Sequence, residues 1–193
     1  MNKNSRRAFL IGSTSGLSSI WLASNWSGIL DAKAYAQQAT GPGRPVRLAF
    51  FTGEQAADID AMASQIIPTD STPGAHEARC VYFIDRALTT FLRDSQPIYT
   101  QGLRDLQAKT TELFPSAGKF SALTSVQQIQ LLTAIENTTF FTTVCTHTIT
   151  GMFASPTHGG NCNKVGWELI GFEDKLHFKP PFGYYDAAGK PSR

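Results

Sequence analysis

The stretch Thr52-Gly53-Glu54-Gln55-Ala56-Ala57-Asp58-Ile59-Asp60-Ala61-Met62-Ala63-Ser64-Gln65-Ile66-Ile67-Pro68 sets the fold class of this chain. Thr52 followed three residues later by Gln55 is a capping-box pattern, in which each side chain can satisfy the other residue's free backbone amide. Ile59, Met62, Ala63, Ile66 and Ile67 then fall at i, i+3, i+4, i+7 and i+8, one apolar face of a helix. Pro68 ends it, because the residue before a proline is pushed out of the helical region.

Working outward, the same grammar repeats. Thr69-Asp70-Ser71-Thr72-Pro73-Gly74 is a turn. A second helix is expected over residues 75–93, burying Val81, Ile84, Leu88, Phe91 and Leu92. A third follows Pro97, with Tyr99, Leu103, Leu106 and Leu113 on one side. Thr124-Ser125-Val126-Gln127 is another capping box and opens a fourth helix, whose face includes Ile129, Leu132 and Ile135. Phe140, Phe141, Val144, Cys145, Thr148, Ile149, Met152 and Phe153 make a fifth, stopped by Pro156. No alternating strand-length run competes. The expectation is an all-α fold, a single small bundle of about five helices.

Residues 158–172 are glycine-rich and punctuated by large apolar side chains. Beyond Glu173, the aromatics Phe178, Phe182, Tyr184 and Tyr185 stand among Pro180, Pro181 and Pro191. Such a tail forms no regular helix, and aromatics this dense are costly to leave in water. It either folds back on the bundle or lies on another protein. Trp167, Phe172, Phe178, Phe182 and Tyr185 are the expected partner contacts.

Before the bundle comes a leader. Arg6 and Arg7 precede Phe9, Leu10 and a moderately apolar stretch, which reads as a twin-arginine (Tat) export signal. That stretch carries too many serines for a comfortable membrane span of about 20 apolar residues. Ala34 and Ala36 are the small residues a signal peptidase reads, so cleavage is expected before Gln37. The expected organisation is a signal at 1–36, a flexible lead-in at 37–50, a helical domain at 51–172 and an extended tail at 173–193. Without the leader, 13 Lys and Arg face 14 Asp and Glu, a net charge of −1. No basic stripe for nucleic acid remains.

The Tat route carries folded proteins, so a cofactor is expected in this chain or in a companion. Cys80, Cys145 and Cys162 match no CxxC, haem-attachment or zinc spacing. Cys145 and His147, two residues apart, do not share a helix face. His76 and Cys80 stand at i, i+4, but a metal site would have to recruit His158 or Cys162 from the later loop. Asp85 and Arg86 are expected to bond different neighbours, as a structural ion pair or a cap. Gly159-Gly160-Asn161 lacks dinucleotide-loop spacing, and its glycines fit a positive φ or a close backbone approach. No catalytic, cofactor or metal site emerges from this reading.

Ile66-Ile67-Pro68, Thr72-Pro73-Gly74-Ala75 and Tyr82-Phe83-Ile84-Asp85-Arg86-Ala87-Leu88 resemble the small subunit of gluconate 2-dehydrogenase, the subunit 3 family. A second block is more specific. His147-Thr148-Ile149-Thr150-Gly151-Met152-Phe153 leads to Pro156, Gly159-Gly160-Asn161 and Gly166-Trp167-Glu168-Leu169-Ile170-Gly171-Phe172, much as in that family. The likeness runs from Phe51 to Phe172. The family's usual pattern has an acidic residue near Thr150 and small or polar residues near Cys80 and Cys162, so it does not account for these cysteines.

The resemblance implies a subunit without a redox centre that accompanies a large FAD-containing flavoprotein of the glucose-methanol-choline (GMC) type, in some complexes with a multihaem cytochrome c. FAD and haem c would then lie in partner subunits. This chain would support assembly of the flavoprotein and its passage through the Tat translocase to the periplasmic side of the inner membrane. The competing expectations are a periplasmic metal protein or enzyme using His76, Cys80, His158 and Cys162, and a stand-alone binding or envelope protein.

Overall fold

Thr52 begins the first helix as the capping box requires. Its hydroxyl accepts from the Gln55 amide at 3.2 Å, and the Gln55 side chain accepts from the Thr52 amide at 2.9 Å. The computed structural model describes residues 47–175 and His177. Helix α1 spans Gly53–Ile66 and buries Ala56, Asp58, Ile59, Met62 and Ala63. Ile67 caps its end just before Pro68, donating its amide to the Ala63 carbonyl.

The remaining helices are α2 at Cys80–Thr89, α3 at Gln96–Leu113, α4 at Ser125–Ile135, α5 at Thr139–Phe153 and a short α6 at Val165–Leu169. Short 3-10 turns stand at Arg93–Ser95, Phe120–Ala122, Pro156–His158 and Cys162–Lys164. No strand occurs among the described residues. Over the described residues the fold is therefore all-α, with five principal helices and a sixth short one. The Thr124–Gln127 capping box forms as read. Pro97 sits in the first turn of α3, where its missing N–H costs nothing.

The second helix is much shorter than residues 75–93. Gly74 lies so close to the end of α1 that a Cβ there would stand 2.5 Å from the Ile67 carbonyl oxygen. The chain then turns, with the Ala75 amide on the Ile67 carbonyl and Arg79 in the left-handed region at φ 56°. At the far end, the Thr90 hydroxyl takes the Arg86 carbonyl and the Gln96 side chain takes the Leu88 carbonyl. Those acceptors are satisfied by side chains, and the helix stops at Thr89. Phe91 consequently lies past the regular periodicity and is 51% exposed, not buried.

Two further core expectations fail for a related reason. Ile129 and Ile149 are about half exposed. In α4 the buried set is Gln128, Leu131 and Leu132. In α5 it is Phe140, Val144, His147, Thr148, Gly151 and Met152. Each helix contains more apolar residues than the bundle has room to cover, and the surplus faces outward.

Helix α5 is the axis of the bundle, packing on α1, α2, α3 and α6, while α1 also touches α2 and α4. Ile59, Met62, Phe83, Ile84, Leu88, Tyr99, Leu106, Phe120, Leu131 and Val144 fill the main core. Gly102 lets α3 approach α5, since a Cβ there would fall 2.1 Å from the Phe140 ring. A smaller cluster of Ala63, Ala75, Ala78, Cys80 and Met152 lies toward α6.

Two buried carboxylates tie non-helical segments to this frame. Asp58 accepts from the Ser121 amide at 2.8 Å and holds the turn before α4. Asp85, wholly buried in α2, accepts from the amides of Ala49, Phe50 and Phe51 at 2.7, 2.9 and 2.9 Å. Asp85 thus caps the backbone that leads into α1, one of the two structural roles the sequence allowed.

Candidate partner-docking face

The glycine-rich segment after α5 folds back on that helix and is locked there by one side chain. Asn161 is fully buried in the left-handed region, at φ 46°. Its amide nitrogen donates to the Ala154 carbonyl at 3.0 Å, and its carbonyl oxygen accepts from the Gly166 amide at 2.9 Å. One asparagine thereby satisfies a carbonyl at the end of α5 and an amide at the start of α6. The glycines allow the approach: a Cβ on Gly160 would lie 2.2 Å from the Gly151 carbonyl oxygen. A Cβ on Gly166 would lie 2.0 Å from that of Met152. Close backbone contact explains both positions, and for Gly160 it is one of the two roles the sequence allowed.

This clamp presents Trp167. The indole N–H donates to the Phe153 carbonyl at 2.8 Å, and the half-buried ring meets Phe172 edge-on at 5.0 Å between centroids. The Lys164 ammonium stands 5.6 Å from the indole centroid and pairs with Asp174 at 3.1 Å. Phe172 is 50% exposed. Beside it Leu169 and Ile170 are also exposed, two large apolar side chains that the sequence reading did not single out. Their i, i+1 spacing gives no periodic signal, and only the end of α6 at Leu169 turns both outward.

Of the residues expected at the interface, Trp167 and Phe172 are together in this apron. Phe178, Phe182 and Tyr185 lie outside the described residues, as do Arg6, Arg7, Phe9, Leu10, Ala34 and Ala36 of the leader.

The four residues weighed for a metal have other surroundings. His76 Nδ1 bonds the Asp60 carboxylate at 2.7 Å and tethers α1 to the turn before α2. Cys80 is fully buried, and desolvation pushes its thiol up to about 12. His158 meets the edge of Phe91, and the Cys162 amide donates to the Ala78 carbonyl. Among the described residues, no group of three or more His, Cys, Asp and Glu side chains is placed to hold a metal ion. Cys80, Cys145 and Cys162 are all free thiols.

His147 turns inward, away from Cys145. Its Nδ1 is 3.1 Å from the buried Tyr99 hydroxyl and its ring stacks on Tyr99 at 5.8 Å, while burial lowers its pKa. Between α1 and α3 runs an open groove of about 970 Å³, lined by Glu54, Asp58, Thr100, Arg104, Gln107 and Lys119 among others. Apart from Asp58, already bonded to the turn before α4, these named side chains are exposed and of mixed charge.

The His76–Asp60 pair yields a pH prediction. The hydrogen bond to Asp60, then its charge, raises the His76 pKa above the ordinary 6.5. A raised folded-state pKa means the pair's contribution is full below about pH 6.5 and fades as pH rises through the folded value. The effect on stability is small, because the His76 side chain is 65% exposed. An NMR titration should place His76 above 6.5 and show it falling back in Asp60→Asn. An unchanged titration in that variant would contradict the assignment.

The described chain is thus a small all-α domain with an aromatic apron held on its axial helix by a glycine–asparagine clamp. It belongs to the gluconate 2-dehydrogenase subunit 3 family, whose model matches residues 53–174, from the first residue of α1 to just past Phe172. Membership makes it, by kind, a subunit of a dehydrogenase complex. No curated protein and no solved structure matches the chain.

Proposed function

We propose that this protein is the non-catalytic small subunit of a periplasmic FAD-dependent dehydrogenase complex of the gluconate 2-dehydrogenase kind. Its role is to support assembly of a GMC-type flavoprotein and to supply the signal that carries the folded pair through the Tat translocase. FAD resides in the large subunit, and haem c in a cytochrome subunit where the complex has one. The assembled enzyme is held at the periplasmic side of the inner membrane.

The observation that carries this reading is a subunit-family domain preceded in the sequence by the paired Arg6 and Arg7 and an apolar stretch, which we read as a twin-arginine leader. A folded partner without its own leader can cross only when bound to a chain that has one. The apron of Trp167, Leu169, Ile170 and Phe172 supports it, since half-exposed large apolar side chains that adjoin one another fit a contact surface better than a free one.

The test is export of the partner. With the large subunit co-expressed, Arg6→Lys combined with Arg7→Lys is expected to reduce periplasmic dehydrogenase activity about tenfold or more and leave flavoprotein in the cytoplasm. Unchanged periplasmic flavoprotein in the double variant would refute the export role.

A further inference from the structure

The centre of the bundle holds a hydrogen bond between two titratable side chains. Tyr99 of α3 is wholly buried, and His147 of α5 is 8% exposed. Their rings lie 11° from parallel, and the Tyr99 hydroxyl stands 3.1 Å from His147 Nδ1. Burial holds the Tyr99 phenol well above its ordinary value of 10, so the hydroxyl keeps its proton. A buried hydroxyl proton needs an acceptor. The bond therefore runs from the Tyr99 hydroxyl to Nδ1, and neutral His147 carries its own proton on Nε2. The opposite tautomer would aim an Nδ1–H at the phenol oxygen and strand the hydroxyl proton.

The same tyrosine holds the entry to the bundle. Phe51 packs on the Tyr99 ring at 5.6 Å between centroids, and the amides of Ala49, Phe50 and Phe51 donate to Asp85. Phe140 of α5 meets the Tyr99 ring edge-on at 5.9 Å. Tyr99 is thus common to α3, α5 and the lead-in.

No carboxylate among the described residues pairs with His147. Helix α5 has no Asp or Glu. On α1, Glu54 is exposed, Asp58 accepts from the Ser121 amide and Asp60 bonds His76. On α2, Asp85 is committed to the lead-in amides, and the other titratable groups, Cys80, Tyr82 and Arg86, supply no carboxylate. On α3, Arg104, Asp105 and Glu112 are exposed, and Lys109 pairs with Glu112. On α6, Glu168 is exposed. Cys145, which faces Tyr99 from α5, has its thiol value raised by burial. Burial alone shifts His147, downward from the ordinary 6.5.

We propose that the Tyr99–His147 bond is an acid-operated latch on the lead-in: protonation of His147 removes the hydroxyl's acceptor and places an unpaired charge in the core, and the hold of the bundle on residues 49–51 loosens. Both consequences are costly in a low-dielectric interior. Because folding lowers the His147 value, the loosened chain takes the proton first. The bond's contribution is complete above about pH 6.5 and is lost as pH falls through the folded value. His76, shifted the other way by Asp60, contributes the opposite slope, so the two histidines are separable. The latch is independent of which partner the subunit serves.

The test is made on the purified full chain. Imidazole NMR at neutral pH should show His147 with its proton on Nε2, and its titration midpoint should lie below 6.5. Across that titration, hydrogen-exchange protection of the Ala49, Phe50 and Phe51 amides should fall about tenfold. His147→Asn puts a non-titrating oxygen near the Nδ1 position, so its amides should stay protected over the same pH range. Tyr99→Phe removes the donor to neutral His147, which should then titrate at a higher pH than in the wild type. That second variant decides the case if His147→Asn does not fold. A wild-type His147 midpoint at or above 6.5, or one unmoved in Tyr99→Phe, would overturn the latch. Equal loss of protection in the wild type and His147→Asn would also overturn it and assign the acid response to Asp85.

Discussion

Asp85→Ala is expected to destabilise the domain by about 3 kcal/mol or more, with the thermal midpoint falling on the order of 10 °C. The carboxylate is wholly buried and accepts three backbone amides, those of Ala49, Phe50 and Phe51. Each buried amide left without an acceptor costs roughly 1–3 kcal/mol, reduced where water can enter. The lead-in also loses its register. Phe51, 5% exposed, packs on Tyr99 at 5.6 Å, and Tyr99 in turn meets Phe140 and His147 at the axis of the bundle. Asp85→Asn keeps one acceptor oxygen but turns an N–H₂ toward the same amides, so an intermediate loss is expected. Urea unfolding of the purified chain measures both. A change under about 1 kcal/mol in Asp85→Ala would show that the three bonds do not hold this segment.

Gly166→Ala and Gly160→Ala are the next largest, each expected to cost about 2–3 kcal/mol. The added Cβ would meet backbone carbonyl oxygens at 2.0 and 2.2 Å, and neither atom can rotate away as a flexible side chain could. Relief requires lifting residues 160–166 off the end of α5. That movement stretches the Asn161 bond to the Ala154 carbonyl and the Trp167 bond to the Phe153 carbonyl. Unfolding free energy and the near-UV signal of Trp167 should therefore change together. Gly53→Ala is the control: nothing lies within 4 Å of its Cβ position, so no loss is expected there. Wild-type stability and an unaltered Trp167 signal in Gly166→Ala would refute the clamp.

Helix starts were legible because their causes are local. Thr52–Gln55 and Thr124–Gln127 are reciprocal bonds within four residues, and a linear pattern contains everything they need. The core faces of α1 and α3 were legible because a single apolar stripe left no choice of side. The extent of α2 was not. Its start depends on Gly74 pressing on Ile67, and its end on Gln96 reaching the Leu88 carbonyl, both contacts between segments.

The site divides the same way. Trp167 and Phe172 stood out as aromatics in a glycine-rich stretch, and the glycines themselves advertised close approach. The outward positions of Ile129, Ile149, Leu169 and Ile170 were hidden, because an apolar residue on an apolar helix carries no sign of which side its neighbours will cover.

By itself, the sequence determined the all-α class, the capped helix starts, the family and the glycine–asparagine segment. Each of these depends on residue identity or on bonds between near neighbours. Tertiary structure alone decided which apolar residues became core and which remained as a face, and that Asp85 would be a cap for a segment 34 to 36 positions away. The physical reason is that burial belongs to the packed pair of surfaces. Helix α5 has apolar or methyl-bearing residues on all sides, and it is the arrangement of α1, α2, α3 and α6 around it that decides which of them are buried among the described residues.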